Sequence, residues 1–197
     1  MSSQYFAEQP AAPHRPGTVH VVLPDLHLSL ATDSGVFSPG RLDPGTRLLL
    51  DAAPPPPVGG DFLDLGCGYG PLALVLALRS PGARVWAVDV NRRALELCHR
   101  NVAAAGAGNV RCLEPEDSTI PAGLDLIWSN PPIRIGKQAL HDLLATWLGR
   151  LTPDGRAYLV VQRNLGSDSL QRWLGEAGLA AARVAARAGY RVLEVHR

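Results

Sequence analysis

The sequence predicts an α/β protein built on a doubly wound, mostly parallel sheet of seven strands, with an antiparallel strand at its C-terminal end and a β-hairpin ahead of it. Three observations carry that expectation. Short apolar runs alternate with amphipathic stretches from residue 62 onward, a glycine-rich turn joins the first such run to a helix, and two strand-like segments close the chain. Short apolar strands with helices between them belong to a parallel sheet covered on both faces.

Residues 1–16 are polar and carry Pro10, Pro13 and Pro16, so they read as an arm without a core of its own. Segments 18–23 and 26–31 flank Pro24-Asp25, and the second alternates apolar with polar residues, which predicts a hairpin with His20 and His27 facing outward. A loop over 35–45 leads into a short helix from about 46 to 52. Pro54, Pro55, Pro56 and Pro57 follow and cannot continue it. The expected organisation is therefore the arm, then residues 17–57 as hairpin, loop and short helix packed on the core, then residues 58–197 as the core itself. Within the core, strands are expected at 62–65, 85–88, 110–113, 124–128 and 156–161, with helices at 72–78, 94–104, 139–148 and 169–177. Segments 182–186 and 190–196 are the two closing strands. No internal repeat is present.

Hydrophobic residues make up 46% and charged residues 19%, the balance of a globular chain rather than a disordered one. A net charge of +1 creates no overall field towards nucleic acid or an anionic membrane, so any RNA contact has to come from a local patch. Lys137 is the only lysine in a chain otherwise rich in arginine. The three cysteines, Cys67, Cys98 and Cys112, form no closely spaced pair, which argues against a disulfide framework or a zinc site. A reducing setting fits. The opening residues lack a basic start and an apolar run, and no segment approaches the ~20 apolar residues of a membrane span, so a cytoplasmic protein without membrane contact is expected.

Function is written at two strand ends. The first core strand runs into Asp64-Leu65-Gly66-Cys67-Gly68-Tyr69-Gly70, and Pro71 opens the next helix. Glycines here allow positive φ and close approach of the backbone to a ligand, while the helix start presents free N–H groups. At the end of the second strand stands Asp89, placed where a carboxylate accepts hydrogen bonds from both ribose hydroxyls of an adenosine, with Asn91 just beyond it. Dinucleotide enzymes share this layout, but the glycine spacing and the acid at Asp64 differ from theirs and resemble the first motif of class I S-adenosylmethionine methyltransferases. That resemblance implies S-adenosylmethionine as cofactor, a Rossmann-like fold, and Asp64, Gly66, Cys67, Gly68, Gly70, Asp89 and Asn91 around it, with Asp64 close to the methionyl amino group.

The fourth core strand ends in Ser129-Asn130-Pro131-Pro132-Ile133. This string resembles the Asn-Pro-Pro signature of methyltransferases acting on planar amines: adenine N6, guanine N2 and glutamine amides. A nitrogen conjugated to a ring or carbonyl is a poor nucleophile, so it has to be held and polarised. The Asn130 side-chain oxygen and the Pro131 carbonyl can each accept one N–H of the target, and Pro131 and Pro132 stiffen the loop that carries them. No metal or covalent intermediate is required. Ile133 stands where the family usually places an aromatic.

The longer string from Asn130 to Lys137, with Gly35-Val36-Phe37-Ser38, Leu42-Asp43-Pro44-Gly45-Thr46 and the terminal Gly189 to Val195, resembles the catalytic domain of 16S ribosomal RNA guanine-N2 methyltransferases of the small-subunit methyltransferase C type. The likeness covers nearly the whole chain and corresponds to the catalytic half of two-domain members and to short relatives, which implies that the second, substrate-docking domain is absent. It implies that Phe37 and Thr46 border the cofactor pocket, that Asp117 meets the adenine, and that ribosomal RNA or the small ribosomal subunit is the partner. Arg134 and Lys137 follow the catalytic loop and read either as phosphate contacts to an extruded nucleotide or as a solvated basic loop. Methylation of a protein glutamine or a small amine would use the same polarising groups. A silent partner in an RNA-modifying complex is the third reading, set against intact Asp64, Gly66, Gly68, Asp89 and Asn130. Trp128 and Trp147 read as core and His141 as a surface residue.

Overall fold

A computed structural model describes residues 12–197. Most of the expected arm lies outside the described residues. From residue 12 on, the chain is tied to the loop after the hairpin: His14 Nδ1 lies 2.5 Å from the Asp33 carboxylate, and Arg93 reaches the carbonyls of Ala12 and Ser34 at 2.8 and 2.9 Å.

Strands β1 (Gly17–Val22) and β2 (His27–Thr32) pair antiparallel, with Val19, Val21 and Leu30 turned inward and His20 and His27 exposed. Helix α1 (Pro44–Ala52) begins two residues earlier than expected, because Asp43 caps it and Pro44 fits the first turn, where no N–H is needed. The core then alternates β3 (Gly59–Leu65), α2 (Pro71–Arg79), β4 (Gly82–Val88), α3 (Arg92–Ala104), β5 (Val110–Leu113), β6 (Leu124–Ser129), α4 (Lys137–Leu148), β7 (Leu151–Gln162), α5 (Ser167–Glu176), β8 (Ala180–Arg187) and β9 (Tyr190–His196).

The seven core strands form one sheet in the order β5-β4-β3-β6-β7-β9-β8. β3 to β7 run parallel, and β9 runs antiparallel to both β7 and β8. Successive residues of the central strands serve opposite faces, as the pleat requires. Phe62, Val85, Ala87, Leu126 and Trp128 join a core with the hairpin, α1, α2 and α3, while Leu63, Trp86, Val88 and Ile127 join a second core with α4 and α5. The continuous apolar runs in the sequence are thus two half-cores interleaved residue by residue.

Two differences from the sequence reading have local causes. β7 starts at Leu151, not 156, because Thr152 to Gly155 form an irregularity inside it: Leu151 pairs with Leu124 and Arg156 with Leu126. His141 is 8% exposed, not a surface residue, and its ring stacks on Trp173 at a centroid distance of 4.0 Å. The second core needs that face of α4, and the imidazole covers Trp173 there.

Buried Asn101 ties the hairpin to the core. Its amide accepts from Ala31 N at 2.7 Å and donates to the carbonyls of Ala31 and Tyr69 at 2.9 and 2.8 Å, which joins β2, α3 and the glycine turn through one side chain. No helix of the described residues is long and apolar enough to cross a membrane.

Candidate functional site

The carboxyl ends of β3, β4, β6 and β7 open on one cavity of about 300 Å³. Strand ends are where an open parallel sheet leaves space, because the helices fold back from there.

At β3 the chain turns through Gly66, Gly68 and Gly70, with φ of +75°, +56° and +93°. The three differ in what surrounds them. A Cβ on Gly66 or Gly68 would meet no atom within 4 Å, so the space before them is open, whereas a Cβ on Gly70 would sit 2.7 Å from Cys98 Sγ. Gly70 therefore serves the packing of α2 on α3, and Gly66 and Gly68 line the cavity. The turn is fastened by donation from Gly66 N and Cys67 N to the Val88 carbonyl at 2.8 and 3.0 Å.

Asp64 lies behind the turn rather than in the cavity lining. It is fully buried, accepts from Ala73 N at 2.8 Å through Oδ2, and its Oδ1 has no partner among the described residues. Burial is the main cause that pushes its carboxyl up to about 8; the Ala73 N–H opposes this and the charge of Asp89 adds to it. The folded value lies above the ordinary 3.8, so the folded chain keeps a proton that the unfolded chain has released. The contribution of Asp64 to stability is complete below the ordinary value and is lost as the pH rises towards about 8. Urea unfolding followed between those two pH values should show stability falling, with a slope that Asp64→Asn flattens. An unchanged slope would exclude a buried protonated Asp64.

At the end of β4, Asp89 accepts from Gly68 N at 2.8 Å and from Asn91 N at 2.9 Å, one bond to each carboxylate oxygen. Burial raises its carboxyl, and the N–H groups of Asn91, Gly68 and Val90 work against that. These N–H groups do not exhaust the lone pairs, so the carboxylate keeps acceptor capacity for a hydroxyl in the cavity. Asn91 lines the same wall, caps α3 through Ala94 N at 3.2 Å and donates to the Gly35 carbonyl at 2.9 Å, which fixes the loop bearing Phe37.

The loop after β6 supplies Asn130, Pro131, Pro132, Ile133 and Arg134 to the lining. Ile133 N donates to the Pro131 carbonyl at 2.8 Å, so one of that oxygen's two lone pairs is already used. The Asn130 amide nitrogen donates to Asp43 Oδ2 at 2.8 Å and to Thr46 Oγ1 at 3.0 Å. Both hydrogens are spent in the wall. The orientation of the amide is thereby fixed, and its oxygen remains as the free acceptor.

Asp43 is the residue the sequence reading missed. It is 7% exposed, and its Oδ2 accepts both from Asn130 and from Thr46 N, at 2.9 Å. One carboxylate oxygen thus caps α1 and locks the loop after β6. A residue of cap type before Pro44 was the only signal, and it pointed to the helix alone. The two roles can be separated. Asp43→Ala should cost about 1 kcal/mol for the lost cap, whereas Asp43→Ser keeps a cap of comparable quality but cannot reach Asn130. We expect Asp43→Ser to unfold within about 0.5 kcal/mol of the parent while turnover at the site falls about 10-fold, the price of one lost orienting hydrogen bond. Parent-like turnover in Asp43→Ser would remove the positioning role.

Phe37 and Thr46 line the cavity. Asp117 does not; its carboxylate accepts from the hydroxyl and N–H of Thr119 at 2.5 and 2.8 Å, which holds it below the usual carboxylate range, and Pro115 is the lining residue of that loop. Lys137 is exposed at the start of α4 and borders a smaller cavity of about 130 Å³ that adjoins the first through Ile133. Tyr69, Leu143, Gln162 and Tyr190 also line the main cavity and were not anticipated.

The three cysteines, scattered in sequence, converge. Cys98 and Cys112 sulfurs are 3.4 Å apart, and all three thiols are free. Contact with Cys98 favours the Cys67 thiolate, but burial and the charges of Asp89 and Asp64 outweigh it and push the thiol up to about 12. Cys67 is a small wall residue held as a thiol, not a nucleophile. Among the described residues no cluster of metal-ligating side chains occurs.

Residues 27–194 match the methyltransferase small domain family. The chain is 35% identical over 172 residues to YbxB of Bacillus subtilis, an uncharacterised protein, covering 86% of each. It is 39% identical over 159 residues to ribosomal RNA small subunit methyltransferase C of Pseudomonas aeruginosa, which is 78% of this chain and 47% of that protein. Among solved structures it resembles the T. thermophilus 16S rRNA N2 G1207 methyltransferase in complex with AdoMet and guanosine, with a TM-score of 0.76, 25% identity, and coverage of 95% of this chain and 52% of that one. The chain thus spans about half the length of those two enzymes.

Proposed function

The chain belongs to the methyltransferase small domain family and is an S-adenosylmethionine-dependent methyltransferase, and from that premise we propose that its methyl acceptor is an exocyclic amino group of a nucleic-acid base, guanine N2 of ribosomal RNA. The observation that carries this reading is the fixed Asn130 amide, whose two hydrogens are held by Asp43 and Thr46 so that its oxygen is presented to the same cavity as the glycine turn.

The residues fit the cofactor. Open space before Gly66 and Gly68 and the acceptor capacity of the Asp89 carboxylate in the same lining are the features an adenosine would use. When bound, S-adenosylmethionine supplies a methyl group on a positively charged sulfur. The protein's task is the acceptor. Asn130 Oδ1 takes one N–H of the amine and the remaining lone pair of the Pro131 carbonyl takes the other, which fixes the plane of the amine and shifts density onto nitrogen. Neither oxygen has to remove the proton fully, because a methylated amine nitrogen is acidic enough to lose it to solvent. Because the acceptors are oriented before the acceptor arrives, little reorganisation is left for the transition state.

Arg134, exposed beside the cavity mouth, and Lys137 beyond it are proposed to hold backbone phosphates of the extruded nucleotide. The likeness to proteins named for ribosomal RNA methylation supports RNA over a protein amide. The test is incubation with methyl-labelled S-adenosylmethionine and ribosomal subunits, or RNA purified from them, from a strain lacking the gene. N2-methylguanosine by nucleoside mass spectrometry is the expected product. Label in protein glutamine, or in no RNA, overturns the reading.

A further inference from the structure

The geometry points to Gln162 and Tyr190 as the pair that recognises the acceptor base, Tyr190 as its stacking face and the Gln162 amide as the reader of the adjacent N–H and C=O that distinguish guanine. This inference rests on the base-methylation reading above.

Gln162 is the last residue of β7 and Tyr190 the first of β9, and they are direct partners in the antiparallel register. Directly opposed residues project from the same face, and both line the cavity. Tyr190 is packed against the wall that holds Asn130: a Cβ on Gly45 would lie 2.7 and 2.8 Å from two carbons of its ring and 2.9 Å from Asp43 Oδ2, the atom bonded to the Asn130 amide. Ring, Asp43 and Asn130 are therefore contiguous. The other lining aromatics belong to the cofactor end, Tyr69 within the glycine turn and Phe37 on the loop held by Asn91. The neighbours of Asn130 on its own loop are proline and isoleucine, so Tyr190 is the planar face at the acceptor end. An extruded base is commonly held by such a face together with hydrogen bonds to its edge.

Gln162 is half-buried, and its amide makes no hydrogen bond among the described residues. A primary amide offers one acceptor and one donor side by side. With its N2 amine on Asn130 and Pro131, guanine presents N1–H and then O6 along the same edge, which match that pair in both bonds. Adenine placed by its N6 amine presents a ring nitrogen and then a C–H, which match only one. The amide therefore favours guanine by the worth of one hydrogen bond in a sheltered site, about 10-fold.

The probe is 2-aminopurine riboside, which keeps the 2-amino group, lacks N1–H and O6, and loses fluorescence when it stacks. It is titrated with the full chain loaded with S-adenosylhomocysteine and then displaced with guanosine or adenosine. The wild-type protein should quench it, and guanosine should displace it at about a 10-fold lower concentration than adenosine. Tyr190→Leu should abolish quenching and Tyr190→Phe retain it. Gln162→Met should retain quenching while guanosine loses its advantage. S-adenosylhomocysteine affinity by calorimetry should stay within about 2-fold in every variant, which establishes that each is folded. Absence of quenching by the wild type, quenching that survives in Tyr190→Leu, or a guanosine preference that survives in Gln162→Met overturns the proposal. The two readings fail separately. If RNA is methylated at guanine N2 and the variants transfer as the parent does, the recognition pair is wrong and base methylation stands; if label enters protein glutamine, both fall.

Discussion

Asn130→Ala should lower kcat for methyl transfer by about 10²- to 10³-fold, the range seen when one pre-oriented hydrogen-bonding group is removed from a reacting centre, while the dissociation constant for S-adenosylmethionine changes by no more than about 2-fold. The separation follows from where Asn130 sits. Its nitrogen is bound to Asp43 and Thr46, not to the glycine turn, and the turn is fastened independently through Val88. Removal leaves Asp43 with its bond from Thr46 N, so the cap of α1 survives and stability falls by only about 1 to 2 kcal/mol. Single-turnover kinetics with saturating cofactor and a parallel calorimetric titration make the check. Full turnover in Asn130→Ala would take the polarising role away from this residue, and an equal loss of cofactor affinity would mean that the wall, not the amide oxygen, was damaged.

Asp89→Ala should do the reverse, raising the dissociation constant for S-adenosylmethionine about 100-fold, the worth of two hydrogen bonds to a charged acceptor less what water restores. The loss has a second component inside the protein. Gly68 N and Asn91 N both donate to this carboxylate, so its removal takes away one tie between the strand end and the glycine turn as well as the contact to the ligand. Asp89→Asn keeps an acceptor on one oxygen and turns a donor towards the other N–H, and about a 10-fold weakening is expected there. At cofactor concentrations far above the new dissociation constant, kcat of Asp89→Ala should return to within a few-fold of the parent, since the residue is remote from the amine. Unaltered affinity in Asp89→Ala would refute the assigned contact.

How far these sites could be read in advance depended on the distance between partners along the chain. The glycine turn was legible because strand, glycines and helix start follow one another directly, and Asp89 because a single helix and strand intervene. Asn130 stood out because two prolines after a strand form a local pattern. The Asp43–Asn130 bond spans 87 residues, and nothing in either neighbourhood mentions the other. The same holds for Asn101, which reaches back 70 residues to Ala31, and for the cysteines, whose convergence depends on how α3 lies across the sheet. Asp117 and Lys137 show the converse. Both sit close to the site in sequence, yet one is occupied by Thr119 and the other borders a separate cavity.

By itself, then, the sequence determined the order of strands and helices, the two faces each strand had to cover, and two of the loops that come together around the cavity. Those features are local: backbone freedom at glycine, rigidity at proline, and the spacing of apolar residues all act over a few positions. Tertiary structure decided which end of the Asn130 amide faces the cavity, that Gly70 serves packing rather than the ligand, and that β9 inserts between β7 and β8 so that Tyr190 stands opposite Gln162. Each of these is settled by a contact between distant segments, and such contacts form only when the sheet has closed and buried polar groups have found the partners that water can no longer provide.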